Sequence, residues 1–386
     1  MSSKPDLSHI LKTSEDVVKG RCDLSGRAMP AKRLLISLAN TCQYRCTFCV
    51  YLHDRQQADL PLKDWLSVLK QAKAAGFRTL EIGSQGEPAL HPHFEHIMST
   101  ACRLGYKIEL LTNLQKIKSI KNILPHLDIL TVNINATNPR EFQAVHGADK
   151  KLFRQALKHI TDILNAIDRA GFPVKVKVNY VITKDSIRKA LGFVRRFHDT
   201  IAKRLGHAPG DLRINFHHML LTPDNHRLAP DKEELQRMLN ECRLAAKIPL
   251  LQQRTNIRQF MEKTLRIIDA HTLMGPLHRD TLPTEKKYKI IKRLNGLMTC
   301  DACSDNLFID CNGDIFGCFN PTRILFGLPA REDPTFYGNV KDGLLTKILA
   351  APSCGTIEMD FTNRFWKACV ICGLKTRTQA CIHSTT

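Results

Sequence analysis

From Arg33 onward, short apolar runs alternate with longer stretches in which apolar residues recur every three or four positions. The runs 33–39, 79–83, 107–112, 128–135, 174–183 and 212–217 are short and apolar and read as buried strands. The stretches 62–75, 93–104, 117–124, 152–170 and 185–205 carry the spacing of amphipathic helices. Strands alternating with helices of this length imply right-handed βαβ units and a parallel sheet. Six such units fall short of the eight that close a barrel, so the predicted fold class is α/β, an open, partial (β/α)6 barrel over 33–222. A polar extension, 1–32, precedes it. Residues 223–295 hold further helix formers at 231–244, 254–270 and 284–294 and read as a helical linker, with Gly275-Pro276 as its clearest turn. Beyond 296 the character changes: cysteine, glycine, asparagine and short apolar runs replace long periodicity. That composition suits a small cysteine-rich α+β domain organised around metal.

The composition narrows the class. The chain has 386 residues, 43% of them hydrophobic, which is enough for a sizeable core. No run of 18 apolar residues occurs and the N-terminus lacks a secretory apolar segment, so the expected location is the cytoplasm, with no membrane partner. Fourteen cysteines in such a chain point away from disulfides and towards metal or cluster ligation, and eight of them lie between Cys300 and Cys381. The net charge of +20 favours acidic partners such as nucleic acid, phosphorylated metabolites or an acidic peptide. Solvated helix faces such as Lys150-Lys151…Arg154…Lys158 account for much of that charge, and aromatic residues that would stack on bases are few.

The first apolar run leads into Cys42, Cys46 and Cys49, spaced C-x3-C-x2-C, on the loop at the C-terminal end of a strand. Three thiolates this close hold three irons of a [4Fe–4S] cluster and leave the fourth iron open. Three residues separate Cys49 from His53, so Cys42, Cys46, Cys49 and His53 also make a closed zinc site. A zinc-bearing nucleic-acid-binding protein is therefore the competing reading.

The loop resembles the signature of the radical SAM superfamily, C-x3-C-x-aromatic-C, with Phe48 at the aromatic position. The resemblance implies that S-adenosylmethionine chelates the open iron. One electron from the reduced cluster then cleaves the sulfonium, and the 5′-deoxyadenosyl radical so formed abstracts a substrate hydrogen. The cofactor supplies that chemistry while the protein binds, orients and excludes water. Phe48 is expected on the adenine side. Gly83-Ser-Gln-Gly86-Glu87-Pro88 is similar to the family's Gly-Gly-Glu-Pro segment, which receives the cofactor's amino group. Gln85 takes the place of its first glycine, and Gly86 keeps the backbone approachable. Thr112-Asn113 stands where relatives carry Thr-Asn-Gly, with Leu114 replacing the glycine. Asn133 and Asn135 end the fourth strand and Asn179 lies in the fifth. Polar residues at successive strand ends mark a cofactor face, suited to the ribose and the methionine carboxylate. His146-Gly147 matches a family turn before the next helix, and His217-His218 are candidates for cofactor or substrate contact.

The C-terminal cysteines carry a second resemblance. Cys303-x9-Gly313-x4-Cys318, then Phe336-Tyr-Gly338-Asn339-Val340, Cys369-x2-Cys372 and Cys381 are similar to the SPASM/twitch domains appended to many radical SAM enzymes. Asn312-Gly313 fits a hairpin tip that brings Cys303 and Cys318 together. The resemblance implies an auxiliary [4Fe–4S] cluster held by Cys303, Cys318, Cys369 and Cys372; a four-thiolate zinc ribbon uses similar ligation. The chain departs from the full SPASM spacing, which favours the one-cluster twitch type, while Cys300, Cys311, Cys354 and Cys381 leave a second cluster open. Cys311 reads most simply as a small buried residue, and Cys22, Cys102 and Cys242 as structural. The implied protein is an oxidoreductase or modifying enzyme for a peptide or small molecule, served by an electron donor such as flavodoxin or ferredoxin. The cluster loop, Gln43-Tyr44-Arg45 and Thr47-Phe48, does not favour the RNA-methylating branch. Residues 1–32 are too few for the winged-helix domain by which peptide-modifying relatives recognise a leader, so a separate leader-binding partner or a small substrate is expected.

Overall fold

The computed structural model describes residues 32–51, 58–219, 226–274, 306–317 and 336–343. Burial alternates along its strands with period two. In β5 (Lys175–Ile182), Val176, Val178, Tyr180 and Ile182 are buried, while Lys177, Asn179 and Val181 on the other face are half-buried. One face is thus apolar and packs on helices, and the other is mixed and lines the concave side. The same alternation runs through β2 (Phe77–Ile82), β3 (Lys107–Thr112), β4 (Ile129–Asn133) and β6 (Leu212–His218). With β1 (Lys32–Ile36) these strands pair in parallel and in chain order.

The connections are α1 (Leu62–Ala74), α2 (Phe94–Arg103), α3 (Ile117–Ile123), α4 (Pro139–His146), α5 (Lys151–Ala170) and α6 (Ala190–Leu205). Their inward faces carry the largest buried side chains: Trp65 of α1, Phe142 of α4 and Phe193 of α6. This is a partial (β/α)6 barrel. Next come α7 (Lys232–Ala245), α8 (Pro249–Arg254) and α9 (Ile257–Met274). Asp231 starts α7 with a reciprocal capping box to Glu234. Phe260 of α9 packs on Phe216 of β6, ring centroids 5.6 Å apart. The predicted helix at 284–294 and Gly275-Pro276 lie outside the described residues. Among those described, no helix is long and apolar enough to cross a membrane.

Two features differ from expectation. The first is α4, which the pattern did not separate from the following turn. Asn138-Pro139 reads as a breaker, yet it is a start: the Asn138 side chain accepts from Glu141 N at 2.9 Å, and proline sits in the first turn, where no N–H is needed. The second is the C-terminal hairpin, which continues the barrel sheet. β7 (Asn306–Ile309) pairs in parallel with β1, Leu34 opposite Leu307, and β8 (Asp314–Phe316) and β9 (Phe336–Asn339) follow antiparallel. The turn falls at Asn312-Gly313 as the sequence indicates, with the Asp310 carboxylate accepting from Asn312 N and Asp314 N. Cys311 lies in that turn, fully buried.

Because one side-chain cap starts α4, Asn138→Ala should lower stability by about 1 kcal/mol. Chemical denaturation checks this, and an unchanged midpoint would show that the cap contributes nothing.

Candidate cluster and cofactor site

A cavity of about 360 Å³ lies at the C-terminal ends of the strands. Cys42, Cys46, Phe48 and Cys49 form one wall. Gly86 and Glu87 after β2, Thr112 and Asn113 at the end of β3, and Asn133 of β4 form another. His217 and His218 of β6 and Lys263 of α9 complete it.

The cysteine loop is placed by backbone. The last carbonyls of a helix have no partner within it. In α4, Val145 O accepts from Thr47 N at 2.9 Å and His146 O from Arg45 N at 2.8 Å, so the loop caps the helix. Gly147 then turns the chain with φ +55°, and a Cβ there would come 2.8 Å from Arg45 O. On the opposite side Glu87 N donates to Thr41 O at 2.8 Å. A Cβ on Gly86 would lie 2.1 Å from Ala39 O and 2.5 Å from Thr41 O, so only glycine lets the two backbones touch.

Glu87 joins that turn to β3. Its carboxylate accepts from Thr112 Oγ1 at 2.5 Å and from Asn113 N at 2.7 Å. Burial raises this carboxyl to about 7, against the pull of its hydrogen bonds from Asn113, Thr112 and Ala89. Asn113 in turn donates from Nδ2 to Gln43 Oε1 at 3.0 Å and more distantly to Cys42 Sγ, at 3.7 Å.

The two histidines of β6 are held as neutral groups. His217 Nε2 donates to Asn179 Oδ1 at 3.0 Å. His218 Nε2 donates to Thr264 Oγ1 at 3.0 Å, the Thr264 proton being given to Phe260 O. Burial, then Lys263 and Lys177, lowers His217 to about 4. Burial, Lys263 and His217 lower His218 to about 3.

Of the residues singled out in the sequence, Cys42, Cys46, Cys49, Phe48, Gly86, Glu87, Thr112, Asn113 and Asn133 come together on the cavity. Asn135 and Asn179 stand behind its wall: Asn135 Oδ1 accepts from Val181 N, and Asn179 supports His217. His53, Cys303, Cys318, Cys369 and Cys372 lie outside the described residues. Sequence reasoning missed Tyr51, Ser84 and Lys263 as lining residues. Lys263 comes from a helix beyond the barrel, and no local spacing announces it.

The family model of the radical SAM superfamily matches residues 36–193. Residues 36–193 are a radical SAM domain. That family uses a [4Fe–4S] cluster and S-adenosylmethionine, and these are the domain's cofactors. Over 160 residues the chain is 25% identical to the S-adenosylmethionine-dependent nucleotide dehydratase of Selenomonas ruminantium, a match covering 40% of this chain and 57% of that one. Over 180 residues it is 27% identical to the PqqA peptide cyclase of Methylorubrum extorquens, covering 45% and 44%. The chain thus spans about half the length of the curated relatives it matches. The fold of Streptococcus suis SuiB bound to S-adenosylmethionine superposes with a TM-score of 0.57 at 19% identity, over 92% of this chain and 73% of SuiB.

The donor set of the radical SAM domain fits such a cluster. Among the described residues no three His, Cys, Asp or Glu side chains converge to hold a single metal ion. Cys42, Cys46 and Cys49 share one cavity wall, and such a cluster takes one thiolate per iron.

The buried carboxyl makes a prediction with a definite sign. The native state holds the Glu87 proton more tightly than the unfolded chain, whose value is 4.5. Its contribution to stability is therefore full below pH 4.5 and lost as pH rises through about 7. Without cofactor, thermal unfolding temperatures should fall across that window in the wild type and fall less in Glu87→Gln. Parallel curves for the two proteins would contradict this.

Proposed function

We propose that the protein is a radical SAM oxidoreductase or modifying enzyme that reductively cleaves S-adenosylmethionine and abstracts hydrogen from a peptide or small-molecule substrate. The observation that carries this is the sharing of one cavity by Cys42, Cys46 and Cys49 with the glycine-backed turn Gly86-Glu87. When bound, the cluster and S-adenosylmethionine supply the electron and the radical. The three thiolates would hold the cluster. Phe48, Gly86, Thr112, Asn113 and Asn133 would contact the nucleotide and its methionine end, and Glu87, Asn135 and Asn179 would position them. His217 and His218 are neutral near pH 7, and with each Nε2 proton already donated to Asn179 or Thr264 they would offer a ligand only Nδ1, an acceptor.

The relatives' names include a nucleotide dehydratase and a peptide cyclase, which supports both substrate classes. SuiB has also been solved bound to its precursor peptide SuiA. We assign the barrel to 33–222, the linker to 223–295 and an auxiliary-cluster domain to 296–386, after the extension 1–32. In that domain Cys303, Cys318, Cys369 and Cys372 would hold one auxiliary [4Fe–4S] cluster for electron transfer. The antiparallel pairing of β7 with β8 supports this, since the chain enters and leaves such a hairpin at one end. The first electron would come from a donor such as flavodoxin or ferredoxin, in the reducing cytoplasm that free thiols require.

Anaerobic assay with reductant and S-adenosylmethionine tests the reading. Cys46→Ala should abolish 5′-deoxyadenosine formation while the C-terminal cluster stays in place, and undiminished formation would refute the loop assignment. Replacing Cys369 and Cys372 together should keep cofactor cleavage and lose product. Product at the wild-type rate would confine the auxiliary cluster to a structural role.

A further inference from the structure

His146 is fully buried against the cysteine loop, and both of its ring nitrogens are engaged. Nδ1 lies 3.0 Å from Cys46 Sγ, and Nε2 lies 3.3 Å from the backbone nitrogen of Asn135. A backbone N–H only donates, so Nε2 is the acceptor and carries no proton. The ring proton therefore sits on Nδ1 and points at the sulfur. The ring has little freedom to leave: Phe142 lies 4.6 Å away, Tyr44 5.3 Å and Phe48 6.2 Å, centroid to centroid. The amide that fixes the tautomer is itself anchored, through Asn135 Oδ1 to Val181 N. Packing alone would be served by an apolar side chain of similar size. The chain instead aims a fixed donor at one of the three thiols.

We propose that His146 is a positioning residue that donates an Nδ1–H hydrogen bond to the Cys46 sulfur and so raises the reduction potential of the cluster ligated there. The inference rests on the cluster ligation given under Proposed function. An external one-electron donor takes the cluster from the 2+ to the 1+ state. The added negative charge is shared with the sulfurs, so an N–H dipole aimed at one of them stabilises the reduced state more than the oxidised one. In a dry environment that preference is not screened away by water.

The test uses full-length wild type, His146→Leu and His146→Asn, each reconstituted anaerobically and assayed for iron and sulfide. Redox titration then follows the EPR signal that S-adenosylmethionine perturbs, which singles out the open-iron cluster. At a fixed potential, His146→Leu should lower the ratio of reduced to oxidised cluster about tenfold, equivalent to about 59 mV for a one-electron couple. His146→Asn, whose side-chain nitrogen stands close to the place of Nδ1, should recover most of that loss. Equal midpoints in wild type and His146→Leu at equal iron content would overturn the proposal. If His146→Leu takes up no cluster, wild type labelled with ¹⁵N-histidine decides: pulsed EPR should show a nitrogen coupling to the reduced cluster that His146→Asn lacks. No coupling, or one that persists in His146→Asn, would overturn it. A wild type with no signal responsive to S-adenosylmethionine would instead remove the proposed function, and this inference with it.

Discussion

Backbone laid directly on backbone, at Gly86 against Ala39 and Thr41, is the contact on which the site depends. It fixes where the cysteine loop leaves β1, because Glu87 N takes up Thr41 O. The Glu87 side chain then carries the constraint sideways into Thr112 and Asn113 at the end of β3. From the other flank, α4 presents its last carbonyls to Arg45 and Thr47. The loop that carries three thiols is therefore held between two strand ends and a helix end. Its own short-range bond, Cys49 N to Cys46 O, could not orient it alone.

Much of the barrel was legible because each strand buries one face and each helix one stripe, so burial writes itself into the sequence as periodicity. The cysteine spacing, Gly86 and Thr112-Asn113 were legible for a related reason, since each is a local arrangement at the end of a strand. What stayed hidden needed chain-distant partners. One local exception is α4, masked because Asn138-Pro139 reads as a breaker although the Asn138 side chain accepts from Glu141 N three residues on. Asn135 Oδ1 accepts from Val181 N and Asn179 Oδ1 from His217, partners that only the folded register brings near. Lys263 reaches the cavity from α9 because Phe260 packs on Phe216, a contact no spacing within either segment encodes.

Strain collects in the same place. Ser84, with φ +91°, and Leu114, with φ +61°, are the non-glycine residues in left-handed backbone among those described, and they lie in the turns after β2 and β3 that border the cavity. Such a conformation costs roughly 1–2 kcal/mol in an ordinary residue. At Leu114 the surroundings offset it. The side chain is fully buried, its N–H donates to Thr112 Oγ1 and its carbonyl accepts from His159 Nδ1 at 2.8 Å. The chain thus keeps a left-handed turn at this position and adds a core side chain beneath it.

Gln85 reaches from the turn after β2 to the C-terminal hairpin. Its Oε1 accepts from Cys311 N in the C-terminal hairpin turn, and Cys311 O accepts from Leu60 N just beyond the cysteine loop. Its own N–H donates to Ser37 Oγ at the end of β1. A glycine could not make the side-chain bond, so it is Gln85 that ties the hairpin to the turn beside the cysteine loop. With β7 also paired to β1, the hairpin cannot shift without moving the turn that touches the cysteine loop. Through Gln85 and the pairing of β7 with β1, the hairpin turn and the cysteine loop are braced on the same strand end, so their relative placement is set by the sheet itself.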